Sequence, residues 1–218
     1  VHVGSANTKT AVELAKHAQD TGATHISSVP PFYYSHTNSE IKDYFIKLVN
    51  SVSIPVYVYN NPKTVGYGIK ADLLNELAGI GVYGVKDSSF DIIILNEFIR
   101  KIDKKDFDVV LGTEAMFLPS SVLGIKAFIP GLGNIFPELM VEFYKCCIDG
   151  DYIKAKELHN KVLTLRDIMH SAEANIPAVH EMLKFRKINA GLPKSPYLPL
   201  TRETSESIYR KLKDIGII

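Results

Sequence analysis

The chain has 218 residues, 46% of them hydrophobic and 22% charged, enough apolar content to bury a sizeable core and too much for a disordered chain. Lysine and arginine total 25 against 24 acidic residues, with neither sign concentrated in one stretch, which argues against a nucleic-acid footprint or a polybasic membrane patch. No apolar run approaches the roughly 18 residues of a transmembrane helix.

Along the chain, short β-branched runs alternate with amphipathic stretches. Strands are predicted at 1–3 (VHV), 25–29 (HISSV), 55–59 (PVYVY), 83–86 (YGVK), 108–112 (DVVLG) and 127–131 (AFIPG). Helices are predicted at about 9–20, 39–51, 70–78, 90–102, 114–123 and 137–148. In NSEIKDYFIKLVNSV, Ile41, Phe45, Leu48 and Val49 recur at helical spacing while the charged residues fall elsewhere; Asn38 or Ser39 suits the N-cap. The only cysteines, Cys146 and Cys147, are adjacent on the helix at 137–148. They make neither a disulfide framework nor a metal motif, and a reducing cytoplasm is the simplest reading. After residue 150 the strand pattern stops, and three terminal helices follow. The expected division is therefore a catalytic domain at 1–150 and a helical extension at 151–218.

Repeated strand–helix units imply a parallel sheet covered by helices. No G-x-G-x-x-G follows a strand, which weakens a dinucleotide-binding reading and favours a TIM (β/α)₈ barrel over an open doubly wound sheet. Eight strands close such a barrel and six are legible here, so the expectation is a barrel lacking its first two βα units.

In a barrel the C-terminal ends of the strands face the active site. Tyr59 and Lys86 are 27 residues apart, one βα unit, so they close consecutive strands. A lysine projecting into a barrel mouth loses hydration, which frees its amine to attack a carbonyl. A tyrosine beside it can relay protons as carbinolamine, imine and enamine interconvert. No His/Cys/Asp constellation has metal-ligand spacing, and an imine mechanism needs neither metal nor other cofactor.

PVYVYNNPKTVG followed one unit later by GVYGVKDSS resembles the dihydrodipicolinate synthase/N-acetylneuraminate lyase family of class I pyruvate aldolases. The likeness continues through VGSANTKTAVELAKHAQDTGA, PPFYYSHTNSEIKDYF, VVLGTEAMFLPSSVLGIKAFIPGLGN and GDYIKAKELHNKV. The resemblance implies that Lys86 forms a Schiff base with a 2-keto acid and that Tyr59 relays protons. It places Tyr33 at the family's second tyrosine, whose hydroxyl often reaches a neighbouring subunit's site; plain packing with Phe32 and Tyr34 is the alternative. It implies that Gly112 and Ile129 line the pyruvyl group through their backbone. A homo-oligomer, dimer or tetramer, is expected with it.

Two features depart from the family pattern. Its carboxylate-binding Gly-Thr/Ser-Thr/Ser-Gly-Glu loop is nowhere in this chain. The arginine that grips aspartate semialdehyde in dihydrodipicolinate synthases is here Thr64, with Lys63 one residue earlier; a lysine supplies a point charge but not the planar fork. The segments VGSAN, PPFYYS and GVKDS look closer to 2-keto-3-deoxygluconate aldolases. Thr64, Thr113 and Glu114 are then expected to bind substrate hydroxyls, although Glu114 suits the N-cap of its own helix equally well. The reading is an aldolase cleaving a 2-keto-3-deoxy sugar acid to pyruvate and an aldehyde. Dihydrodipicolinate synthase is the alternative, and a non-catalytic keto-acid-binding protein the remote one.

Overall fold

The computed structural model describes residues Val1–Ile218. Four strands, β1 (Ile26–Ser28), β2 (Val56–Asn60), β3 (Gly84–Asp87) and β4 (Asp108–Leu111), pair in parallel and in sequence order. One parallel bridge extends the pairing at either edge, His2 to Ser27 and Phe128 to Leu111. Four of the six expected strands thus form, each end within one residue of the expected bound, and 1–3 and 127–131 contribute one bridge each. At the second edge Leu111 N–H reaches Ala127 O at 3.0 Å. Pro130, two residues past the bridge, has no N–H with which to extend a ladder.

The chain divides into two compact units. The first comprises Val1–Gly112 and Leu123–Phe128 and contains the sheet. Its helices are α1 (Thr8–Asp20), α2 (Asn38–Val49), the single-turn α3 (Pro62–Val65), α4 (Ala71–Gly79) and α5 (Ile92–Lys101). Burial alternates along β2: Val56, Val58 and Asn60 are buried while Tyr57 and Tyr59 are half-buried, the period-2 signature of a strand. Val56, Val58 and Val85 pack with Ala15, Phe45, Leu48, Leu74, Leu77 and Phe98 of the helices. The other face is left to Tyr57, Tyr59 and Lys86. The N-cap of α2 is Thr37, just before the expected Asn38 or Ser39, because Thr37 and Glu40 close a capping box.

The second unit comprises Thr113–Val122 and Ile129–Ile218. A 3₁₀ turn at Glu114–Met116 leads into α6 (Phe117–Val122), and α7 (Pro137–Asp149), α8 (Tyr152–His170), α9 (Asn175–Phe185) and α10 (Arg202–Asp214) follow. Its core includes Phe117 edge-on to Phe143 at 5.9 Å, with Phe143 stacked on His159 at 5.7 Å. Cys146 and Cys147 are buried and unbridged in α7. No helix is long and apolar enough to cross a membrane.

Candidate active site

Lys86 occupies the third position of β3, in register with Tyr59 on β2 and Val110 on β4. Its Nζ lies 4.1 Å from the centroid of the Tyr59 ring, where the ring quadrupole attracts a cation. The Tyr59 hydroxyl accepts a hydrogen bond from Asn61 Nδ2 at 3.2 Å. Lysine and tyrosine therefore meet through the ring face. Half-buried and without a salt bridge, Lys86 is neither a solvated surface lysine nor half of an ion pair.

One residue further along the same strands, Asn60 Nδ2 donates to Asp87 Oδ1 at 2.7 Å. Asn60 Oδ1 accepts from Ile69 N–H, and Asp87 also accepts from the Ser89 hydroxyl and N–H. Burial pushes the Asp87 pKa up, against the opposing effect of its hydrogen bonds to Ser89 and Asn60. Asp87 thereby anchors the turn after Lys86. Gly112 closes the row: its N–H donates to Asp87 O at 2.6 Å. A Cβ there would stand 1.9 Å from Ser88 Oγ, so only glycine lets the two strand ends approach.

Tyr33 is not brought to this pair. It is 83% exposed at φ +84°, with its ring edge-on to Tyr34 at 4.9 Å. Thr64 stands exposed on α3 beside exposed Lys63.

In the second unit Thr113 is the N-cap of the 3₁₀ turn, its hydroxyl accepting from Ala115 N–H at 3.2 Å. This corrects the capping alternative for Glu114, whose side chain does something else. The Glu114 carboxylate is buried, with Oε2 accepting from Gly131 N–H at 2.9 Å and Oε1 3.5 Å from Arg166 Nη1. Both oxygens are turned inward to the Gly131 backbone and α8. Ile129 is 53% exposed. Sequence reasoning gave no role to Asn60, Arg166 or His2. Asn60 had a local signal, as the inward neighbour of Tyr59. Arg166 lies 52 residues from Glu114 and had none.

A parallel β/α sheet carrying a tyrosine–lysine pair at the ends of consecutive strands defines the class: a (β/α)₈-type carbon–carbon lyase of the class I aldolases. Residues 1–215 match the Dihydrodipicolinate synthetase family, and the chain belongs to it. It is 30% identical over 216 residues to the 4-hydroxy-tetrahydrodipicolinate synthase of Archaeoglobus fulgidus, covering 99% of this chain and 74% of that protein. A crystal structure of dihydrodipicolinate synthase superimposes with a TM-score of 0.91 at 28% identity, over 100% of this chain and 75% of the other. A structure of KD(P)GA from T. tenax gives 0.89 at 27% identity, over 98% and 74%.

Proposed function

We propose that this protein makes or breaks a carbon–carbon bond adjacent to a pyruvyl group held as a Schiff base on Lys86. The observation that carries the reading is the register pairing of Tyr59 with Lys86 and the seat of Nζ over the tyrosine ring. The Lys86 amine adds to the C2 carbonyl of a 2-keto acid, and loss of water leaves a protonated imine. That cation is the electron sink: a C3 proton departs to give the enamine, whose C3 attacks an aldehyde carbon, and hydrolysis frees the lysine. Tyr59, in register beside Lys86, takes the role of moving the protons. No further cofactor enters this scheme.

For the aldehyde partner, the relative named above supports aspartate semialdehyde, as in a 4-hydroxy-tetrahydrodipicolinate synthase. A second reading, a 2-keto-3-deoxy sugar acid aldolase, is favoured by Thr64, which supplies a hydroxyl where a carboxylate-gripping arginine is expected. Within either, Gly112 lines the pyruvyl group by its backbone, and Tyr33 acts across a homo-oligomer contact. Glu114 contributes by holding the Gly131 backbone.

The deciding experiment has two parts. Borohydride reduction in the presence of pyruvate, read by peptide mass spectrometry, is expected to place the adduct on Lys86; absence of any adduct defeats the aldolase reading. Turnover is then compared for aspartate semialdehyde plus pyruvate and for 2-keto-3-deoxygluconate, which separates the two partners.

A further inference from the structure

His2 is absorbed by none of the above, yet it reaches the Lys86 pair. Its neighbour Val3 lies in the helix-facing core, so by alternation His2 stands on the opposite face, the one bearing Tyr59 and Lys86. Its Nε2 accepts a hydrogen bond from Val29 N–H at 3.3 Å. The ring folds back over Gly4, where a Cβ would sit 2.7 Å from His2 Cε1 and 2.9 Å from Nε2. Glycine thus leaves open the slot that the imidazole fills. From that slot the ring meets Tyr59 edge to face, with centroids 6.0 Å apart and planes at 85°. Tyr59 in turn carries Lys86 Nζ over its own ring.

We infer that His2 is a positioning residue for the imine chemistry: clamped over Gly4 by Val29 N–H, its neutral ring props Tyr59 against Lys86 and fixes where the phenol stands relative to the imine carbon. The inference rests on the assignment of Lys86 as the imine-forming residue and deepens it. An Nε2 that accepts from an amide carries no proton, so the neutral ring is the Nδ1–H tautomer. His2 keeps part of its surface open to solvent; burial of the rest of the ring, and then the Lys86 charge, push its pKa below the ordinary histidine value. An imidazolium would set a donor against the Val29 donor and a second cation beside Lys86. Neutrality is thus part of the prop.

The test uses pyruvate alone, and so does not depend on the aldehyde partner. Enamine formation exchanges the pyruvate methyl protons for deuterium in D₂O, which NMR follows as a rate and a half-saturating concentration. His2→Leu is expected to keep borohydride trapping on Lys86 and the half-saturating concentration, while the maximal exchange rate falls by up to about tenfold, the scale of one lost edge-to-face contact. His2→Phe, which retains an aromatic edge, is expected to recover most of that loss. Gly4→Ala sets a methyl group against both the imidazole and Val29 Cγ2, the latter at 2.8 Å, and is expected to slow exchange at least as much as His2→Leu does. Exchange at the wild-type rate in His2→Leu overturns the inference, as does a loss confined to half-saturation or a His2→Phe variant as slow as His2→Leu. An unmodified protein that traps no pyruvate on Lys86 overturns the aldolase reading itself, and this inference with it.

Discussion

Asn60 and Asp87 are joined by a buried 2.7 Å hydrogen bond one residue beyond the Tyr59–Lys86 register pair. Side chains alternate along a strand, so this bond lies on the helix-facing side while the lysine and tyrosine stand on the other. It ties the ends of β2 and β3 together immediately behind Tyr59 and Lys86. Ile69 N–H and Ser89 complete the network.

That network makes stability depend on pH in a direction opposite to that of an ordinary salt-bridged carboxylate. Burial raises the Asp87 pKa in the folded chain, so the folded state holds its proton to higher pH than the unfolded state does. The stabilisation this gives is present below the unfolded value of about 4 and is lost as pH rises through the raised folded value. Asp87→Asn does not ionise and is expected to lose this fall. Thermal unfolding of both proteins from about pH 4 to about pH 8 checks it: the stability of wild type relative to Asp87→Asn should decline as pH rises. A flat difference would show that Asp87 titrates normally. Asn60→Ala, which strips a buried carboxylate of a donor, is expected to cost about 1–3 kcal/mol.

Gly112 is the second constraint behind the site. A methyl group added at its Cα would stand 1.9 Å from Ser88 Oγ and 2.7 Å from Asp87 O, so Gly112→Ala has to part β3 from the segment after β4. Overpacking of this kind costs typically about 1–3 kcal/mol. The displacement falls at Ser88, close behind Lys86 in the chain, so pyruvate trapping should weaken along with the melting temperature. A variant that melts and traps like wild type would show that Ser88 moves aside freely.

Lys86→Ala is expected to abolish both the borohydride adduct and turnover while leaving the fold intact, because the half-buried side chain makes no salt bridge whose loss strands a charge. Tyr59→Phe keeps the ring face under Nζ but removes the phenol. Some adduct should therefore persist while turnover drops by about 10²-fold or more, the usual scale for a lost acid–base group. An adduct mapping to another lysine, or wild-type turnover in Tyr59→Phe, would remove these residues from the mechanism.

How much of this was legible depended on range along the chain. Alternation in PVYVY placed Tyr57 and Tyr59 on one face, and the βα spacing put Lys86 on the neighbouring strand; both patterns are local and periodic. The α2 cap was placed at Asn38 or Ser39 because Thr37, Asn38 and Ser39 are all competent caps, and only the reciprocal bond with Glu40 selects Thr37. Segment 127–131 has the composition of a strand but forms a single bridge, since pairing also depends on what its neighbour offers. Glu114 is the clearest limit. Its partners Gly131 and Arg166 lie 17 and 52 residues away, and nothing near Glu114 distinguishes a buried clamp from a helix cap. The His2 contacts were hidden for the same reason, being made to Val29 and Tyr59 far along the chain.

The proposed aldehyde preference is tested at position 64. Thr64 lies on α3, the single turn directly after β2, which Pro62 opens and Gly66 ends at φ +94°. The turn is held by Thr64 and Val65 N–H to Asn61 O, and the Thr64 side chain is exposed. A longer side chain is therefore expected to fit without repacking. Thr64→Arg adds a planar, two-pronged donor suited to a carboxylate, which Lys63 cannot imitate. A charge-assisted bond of this kind contributes about 1.5–3 kcal/mol, so the KM for aspartate semialdehyde should fall by about tenfold or more while pyruvate trapping on Lys86 stays unchanged. The same substitution removes a hydroxyl, and use of 2-keto-3-deoxygluconate should weaken if Thr64 contacts it. Steady-state kinetics on both substrates, in both proteins, decide the matter. Efficient use of aspartate semialdehyde by the unmodified protein, with no gain in Thr64→Arg, would mean that its carboxylate is gripped elsewhere, and position 64 would lose its role in choosing the substrate.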